Sequence, residues 1–238
     1  MTSSLIIKLF YKLRQSIYKK ADELICVSNG VKVELDKYLG NNRSKVIYNC
    51  LYSVEYEYEK SNNIRLAFIG RLNKVKNIKY IIETISYLPE KYVLNIYGEG
   101  ELKDELYGYI KDRGLLERVK LLGFRDRVEI YRNNDIVCIS SLYESFSNVI
   151  LESILSKKLV VSLDCDYGPR EIFSHFKKIE NNDSSFSLYK VGALVHNDNI
   201  SSYIKAIKVV EKMSIVSDDC KNTAFCKSKI IEQWQLLL

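Results

Sequence analysis

The residues best equipped for chemistry lie in the stretch YESFSNVILES, Tyr143 to Ser153, which carries two glutamates, Glu144 and Glu152. Glu152 sits inside an apolar run, with Val149, Ile150 and Leu151 before it and Ile154 and Leu155 after it. A buried carboxylate without a partner is costly, so this one is either solvated or holding something. At about 100° per residue, helical spacing puts Val149, Glu152, Ser153 and Ser156 on one narrow strip, and Ile150, Leu151, Ile154 and Leu155 cover the rest. Ser145 or Ser147 is placed to cap this helix, and Glu144 lies just before it, near its positive end. Two readings stand on these residues alone: a capping acid and a half-exposed acid, or two carboxylates facing a ligand.

Four further loops carry polar or glycine signals. GRLNKVKN brings Arg71, Lys74 and Lys76 to the entry of a helical segment, where free N–H groups and the positive dipole end favour an anion such as a diphosphate. The alternative is a solvated basic loop. Gly98-Glu99-Gly100 falls short of a dinucleotide fingerprint, because position 103 is Lys, yet its glycines permit close backbone approach to a ligand. Gly123-Phe124-Arg125 and Gly168-Pro169-Arg170-Glu171 follow later.

The elements that must position these loops alternate. Apolar runs at 64–70, 92–98, 119–124, 135–141, 159–164 and 192–196 read as strands. Between them, 77–88 (with Asn77 as N-cap), 101–114 (closed by Gly114), 127–134, the helix after Glu144 and 169–173 read as helices; 200–213 and 218–238 follow as two more. Short apolar strands separated by helices mean βαβ units, hence an α/β fold: a Rossmann-like, doubly wound parallel sheet with both faces covered. Ligands of such sheets bind outside the C-terminal ends of the strands, where all five loops lie.

Composition narrows the function classes. The chain has 238 residues, 47% hydrophobic and 28% charged, with a net charge of +6, which is globular and compatible with an anionic ligand. No basic-aromatic stripe or zinc-finger spacing favours nucleic acid. The six cysteines form no C-x-x-C and read as reduced thiols of a cytoplasmic protein; His175 and His196 lack a metal-ligand pattern. No run approaches the ~20 apolar residues of a membrane span. Residues 1–20 carry five cations and no acid. They read either as a basic amphipathic helix for peripheral contact with an anionic membrane, or as an ordinary helix packing Leu5, Leu9, Leu13 and Ile17 on a sheet.

Taken together, G-R-L-x-x-x-K-N, then G-x-G after a strand, then E-x(7)-E, then G-P-R-E resembles the C-terminal, donor-binding domain of retaining glycosyltransferases of the GT-B fold. It looks most like the family 4 enzymes (glycosyl transferases group 1) of bacterial surface polysaccharide and lipid-linked oligosaccharide synthesis. The resemblance runs from about residue 20 to the end. It implies a hexosyltransferase using a nucleotide-sugar, with UDP as the expected carrier, and a glycan or lipid-linked acceptor. Arg71 and Lys76 would neutralise the donor diphosphate, so no metal or other cofactor is implied. Backbone N–H groups near Val149 and Ile150 would add to that site. Glu152 would hold the ribose. Glu144, with groups around Phe146 and Asn148, would face the transferred sugar. The loops of Gly98, Gly100 and Gly123 would lie near the base.

The sequence departs from the family pattern in three ways. Glu144-Ser145-Phe146-Ser147-Asn148 stands where E-G-F-P-N is usual, which bears on sugar handling. Lys157 stands where glycine commonly takes a left-handed cap, at a cost of ~1 kcal/mol. Most of the N-terminal domain is without counterpart. The resemblance divides the chain into a remnant of that domain (1–44), a connector (45–60), the donor domain (61–215) and a C-terminal helix (216–238) that would pack back on the N-terminal domain. Two readings of function follow: an enzyme half, either completed by a separate N-terminal half or a second copy or else truncated with little activity, or a nucleotide-sugar-binding or interaction module without turnover.

Overall fold

The computed structural model describes residues 13–214 and 223–237. Its central sheet has eight strands: β3 (Ile64–Ile69), β4 (Tyr92–Tyr97), β5 (Val119–Gly123), β6 (Ile136–Ile139), β7 (Leu159–Leu163), β8 (Lys178–Ile179), β9 (Phe186–Tyr189) and β10 (Gly192–Val195). Their spatial order is β5-β4-β3-β6-β7-β10-β9-β8. The first six in that order pair in parallel, as expected, whereas β9 and β8 run antiparallel at the far edge. The sequence reading missed this edge hairpin, because a two-residue strand and the Asn181-Asn182-Asp183 run read as loop.

The strands are mostly apolar because alternate residues enter two different cores. On one face Leu66, Phe68, Ile136, Cys138, Val161 and Leu163 pack with the helices α3 (Ile78–Tyr87), α4 (Lys103–Asp112) and α8 (Ile200–Val210). On the other, Ala67, Val137, Ile139 and Val160 meet α5 (Arg127–Arg132), α6 (Asn148–Leu155) and α7 (Gly168–Ser174). Before the sheet stands a small unit. Helical residues 13–19 (α1) lead to β1 (Leu24–Cys26), α2 (Asn29–Leu39) and β2 (Ser44–Val46), with β1 and β2 paired in parallel. Leu5 and Leu9 of the expected apolar stripe lie outside the described residues; Leu13 and Ile17 are exposed. The five described cysteines are unpaired.

Helix ends correct several expectations. Asn77 sits at the start of α3 with a left-handed backbone (φ 49°), and its side chain caps nothing. Instead a 3₁₀ turn, Lys74–Lys76, precedes it, and Asn73 Oδ1 accepts from Lys76 N–H at 3.2 Å. The chain must turn twice between β3 and α3, and Asn tolerates that backbone. Ser147 likewise precedes α6 with φ 60° and no side-chain cap. The last helix, α9 (Lys227–Gln235), is shorter than 218–238. Residues 223–226 are not helical, and Phe225 is buried in ring contact with Tyr48, Phe146, His175 and Phe176. That tertiary demand overrides helix propensity.

The Lys157 expectation holds. Lys157 follows α6 with φ 58°; its N–H donates to Ile154 O at 3.0 Å, and Lys158 N–H donates to Ser153 O at 2.8 Å. This two-bond cap is the one glycine takes without strain. Lys157→Gly is expected to stabilise the protein by about 1 kcal/mol in urea unfolding; an unchanged midpoint would contradict the strain assigned to this residue.

Candidate functional site

β3 and β6 are neighbours in space but far apart in sequence, and the chain departs from them towards opposite edges of the sheet. Their C-terminal ends therefore border a crevice at the point where the strand order reverses. The loops leaving the two strands are tied together: Leu142 N–H donates to Val75 O at 2.9 Å, and Ser140 Oγ donates to Lys76 O and Asn77 O at 2.8 and 3.0 Å. This tie brings Lys76 Nζ to 2.6 Å from Glu144 Oε1, and Ser141 Oγ donates to the same oxygen at 2.7 Å. A third loop closes in, with Gly168 N–H donating to Glu144 O at 3.1 Å. A side chain at Gly168 would collide with Phe146 backbone, its Cβ falling 2.8 Å from the carbonyl carbon.

Arg71, Gly98, Phe124 and Arg125 line a hollow of about 420 Å³ at the ends of β3, β4 and β5, floored by Ile69, Tyr97 and Ile130. Gly98 and Gly100 have a nearer reason to be glycine than a ligand. A Cβ on Gly98 would fall 1.9 Å from Gly70 O, and one on Gly100 2.4 Å from Leu72 O. The two loops are packed backbone on backbone, with Gly70 N–H donating to Tyr97 O and Leu72 N–H to Glu99 O, each at 2.9 Å.

Glu152 stands apart from Lys76. Its carboxylate meets Arg127 at 3.4 Å, and burial pushes its pKa up against the opposing pull of that guanidinium. The strip it was expected to share is divided: Ser153 is buried and donates to Val149 O, while Ser156 is bound by the connector, its carbonyl accepting from Tyr56 OH. Val149 is half-buried in the first turn of α6, and Ile150 is fully buried, its N–H donating to Ser147 O at 3.1 Å. Phe146 is buried too, stacked on Tyr48 at 5.5 Å, so its side chain does not face the crevice. Asn148 is exposed, and its Oδ1 accepts from Asn49 Nδ2 at 2.7 Å. The structure thus joins Glu144 to Lys76 and Arg71 to Gly98, and gives Glu152 a partner, Arg127, that the sequence reading did not single out.

Glu171 was also without a role. Its carboxylate accepts from Asn29 N–H, Asn29 Nδ2 and Tyr48 OH at 2.7–3.0 Å, so it holds the start of α2. Ser28 Oγ donates to Ser145 O at 2.6 Å beside it. These bonds fasten the β1–α2–β2 unit against the loops of Glu144 and Gly168.

A second hollow, of about 550 Å³, lies at the opposite ends of the strands, beside Ile64, Ile136 and Leu159. There the Lys158 ammonium is held between the rings of Tyr56 and Tyr58, and burial pushes its pKa down to about 8. It clasps the connector to the sheet and sits away from the strand ends where ligands bind. Among the described residues no three His, Cys, Asp or Glu side chains cluster as a metal site.

The sequence profile of Glycosyl transferases group 1 matches residues 56–225. The chain belongs to that family. This glycosyl transferase chain is similar to the N-acetylgalactosamine-N,N'-diacetylbacillosaminyl-diphospho-undecaprenol 4-alpha-N-acetylgalactosaminyltransferase of Campylobacter jejuni, at 30% identity over 91% of the chain and 58% of that protein. Its fold is that of the Staphylococcus aureus TarM structure, with a TM-score of 0.77, 22% identity, and coverage of 95% of this chain and 45% of that one. It is likewise that of Anabaena HepE, solved with UDP and glucose, with a TM-score of 0.73, 21% identity, and coverage of 95% and 66%. The group 1 chain thus spans about half the length of the relatives it matches.

The raised pKa of Glu152 fixes a sign. A carboxyl shifted up on folding stabilises the fold while protonated, and that contribution is lost as pH rises through its folded value. Glu152→Gln removes the penalty of ionisation. It is expected to raise the thermal midpoint at pH 7, with the gain shrinking as pH falls through the raised folded value and gone below the ordinary glutamate value of 4.5. A gain that persists at low pH would assign the effect to something other than the buried charge.

Proposed function

We propose that the chain is the donor-binding half of a glycosyltransferase that takes a hexose from a nucleoside diphosphate sugar, with UDP as carrier, and passes it with retention to a glycan or lipid-linked acceptor. The observation that carries this reading is the Lys76–Glu144 pair at the switch point, held by three convergent loops beside the start of α6. As the sugar leaves, negative charge grows on the diphosphate. Cations at Arg71 and Lys76, with the helix end at Asn148 and Val149, lower the energy of that state. No metal is assigned to the step. Glu152 accepts hydrogen bonds from the ribose hydroxyls, the hollow beside Gly98 and Phe124 takes the base, and Glu144 faces the sugar.

The relatives support the finer points. The Campylobacter name specifies an α-linked N-acetylgalactosamine on a diphospho-undecaprenol acceptor, and HepE holds UDP. In this reading the acceptor is bound by an N-terminal half, in the same polypeptide, in a partner or in a second copy. A lipid-linked acceptor would bring the site to the cytoplasmic membrane surface, where the exposed Leu13 and Ile17 and the basic residues 1–20 make peripheral contact. Among the described residues no helix is long and apolar enough to cross a membrane. Without the acceptor-binding half, transfer by this chain is expected to be slight, because positioning two substrates supplies much of the rate.

Calorimetric titration with UDP tests the reading. Glu152→Ala loses charge-assisted hydrogen bonds to the ribose and is expected to weaken UDP binding by about tenfold or more. Unaltered affinity would make the carboxylate structural, and a wild-type chain that binds no nucleoside diphosphate would overturn the proposal.

A further inference from the structure

Lys76 has two anions to serve. In the structure its ammonium is spent on Glu144, with 25% of the lysine side chain and 12% of the glutamate side chain exposed. Among the described residues Lys76 is in an ion pair with no other carboxylate, and Glu144 with no other cation. The backbone of Lys76 is pinned through its carbonyl by Ser140 Oγ, so only its flexible stem can change partner. Arg71, the other cation of that loop assigned to the diphosphate, is exposed on the hollow and makes no ion pair with Glu144.

We infer that Glu144 competes with the nucleotide's diphosphate for Lys76, and so discriminates a loaded sugar donor from the spent nucleoside diphosphate. This rests on the donor-site reading above. A diphosphate that captures Lys76 strips Glu144 of its cation and leaves a half-buried carboxylate on Ser141 alone. A bound sugar compensates, because its hydroxyls donate to that carboxylate. A bare nucleoside diphosphate offers nothing in their place. After transfer the carboxylate reclaims Lys76, and release of the spent nucleotide is favoured. The ion pair is therefore a specificity device: it weakens product binding more than donor binding.

The test is a double-mutant cycle read by calorimetric titration with UDP, on the wild-type chain, Glu144→Gln, Lys76→Met and the double variant. Thermal unfolding checks each for a native transition, and Lys76→Gln replaces Lys76→Met if that variant loses it. Glu144→Gln is expected to tighten UDP binding by about fivefold in the wild-type background. With Lys76 already replaced, the same change is expected to gain about twofold or less. Unchanged or weaker UDP binding by Glu144→Gln overturns the inference. An equal gain in both backgrounds also overturns it, because the effect is then through-space repulsion rather than competition. If the wild-type chain binds none of UDP, ADP and GDP, the donor-site reading fails and this inference falls with it.

Discussion

The parallel pairing of β3 with β6 is the constraint on which the site depends. Leu66 is registered with Ile136 and Ala67 with Val137, yet the chain reaches β6 only after building β4 and β5 on the other side of β3. The segments leaving β3 and β6 must then diverge, and the space between them is filled by neither helix. What fills it is loop, and loop backbone needs partners. Val75, Lys76 and Asn77 find theirs in Leu142 and Ser140. The same bonds that satisfy the backbone set the side chains of Lys76 and Glu144 against each other.

Around that seam the molecule uses glycine and aromatic packing to hold its loops together. Gly98, Gly100 and Gly168 each stand where a Cβ would strike backbone atoms of a neighbouring loop. On the opposite side, Tyr48, Phe146 and Phe225 form one ring cluster that ties the connector, the α6 loop and the segment before α9 together. Glu171 fastens the β1–α2–β2 unit to the same place. Rigid supports of this kind hold charged groups in position, which is what stabilising a leaving diphosphate requires. The half-buried Glu152 carboxylate, its pKa raised by desolvation, is a stability cost.

Much of this was legible in the residues. The parallel strands announce themselves because two-sided burial makes most of their positions apolar, and helical spacing placed Glu144 just ahead of α6 and Glu152 a turn inside it. The left-handed turn at Lys157 followed from the family resemblance, which puts glycine there. What escaped was set by contacts distant in sequence. The chain takes left-handed turns at Asn77 and Ser147 whose side chains cap no helix, and the Asn77 carbonyl instead accepts from Ser140 across the crevice. Phe146 turns inward because Tyr48 and Phe225 await it. The Ser156 end of the Glu152 strip faces the connector because Tyr56 reaches it. The glycines of Gly98-Glu99-Gly100 answer first to Gly70 and Leu72. Local spacing carries no information about such partners.

The central claim is that a nucleoside diphosphate binds at the C-terminal ends of β3, β4 and β6. Amide hydrogen exchange with and without UDP tests it most directly. The account predicts slowed exchange in 70–77, 97–100, 123–127 and 144–152, with 56–63 and 157–159 unchanged. Slowing confined to those last two segments, around Tyr56 and Lys158, would place the ligand at the wrong end of the sheet and contradict the account.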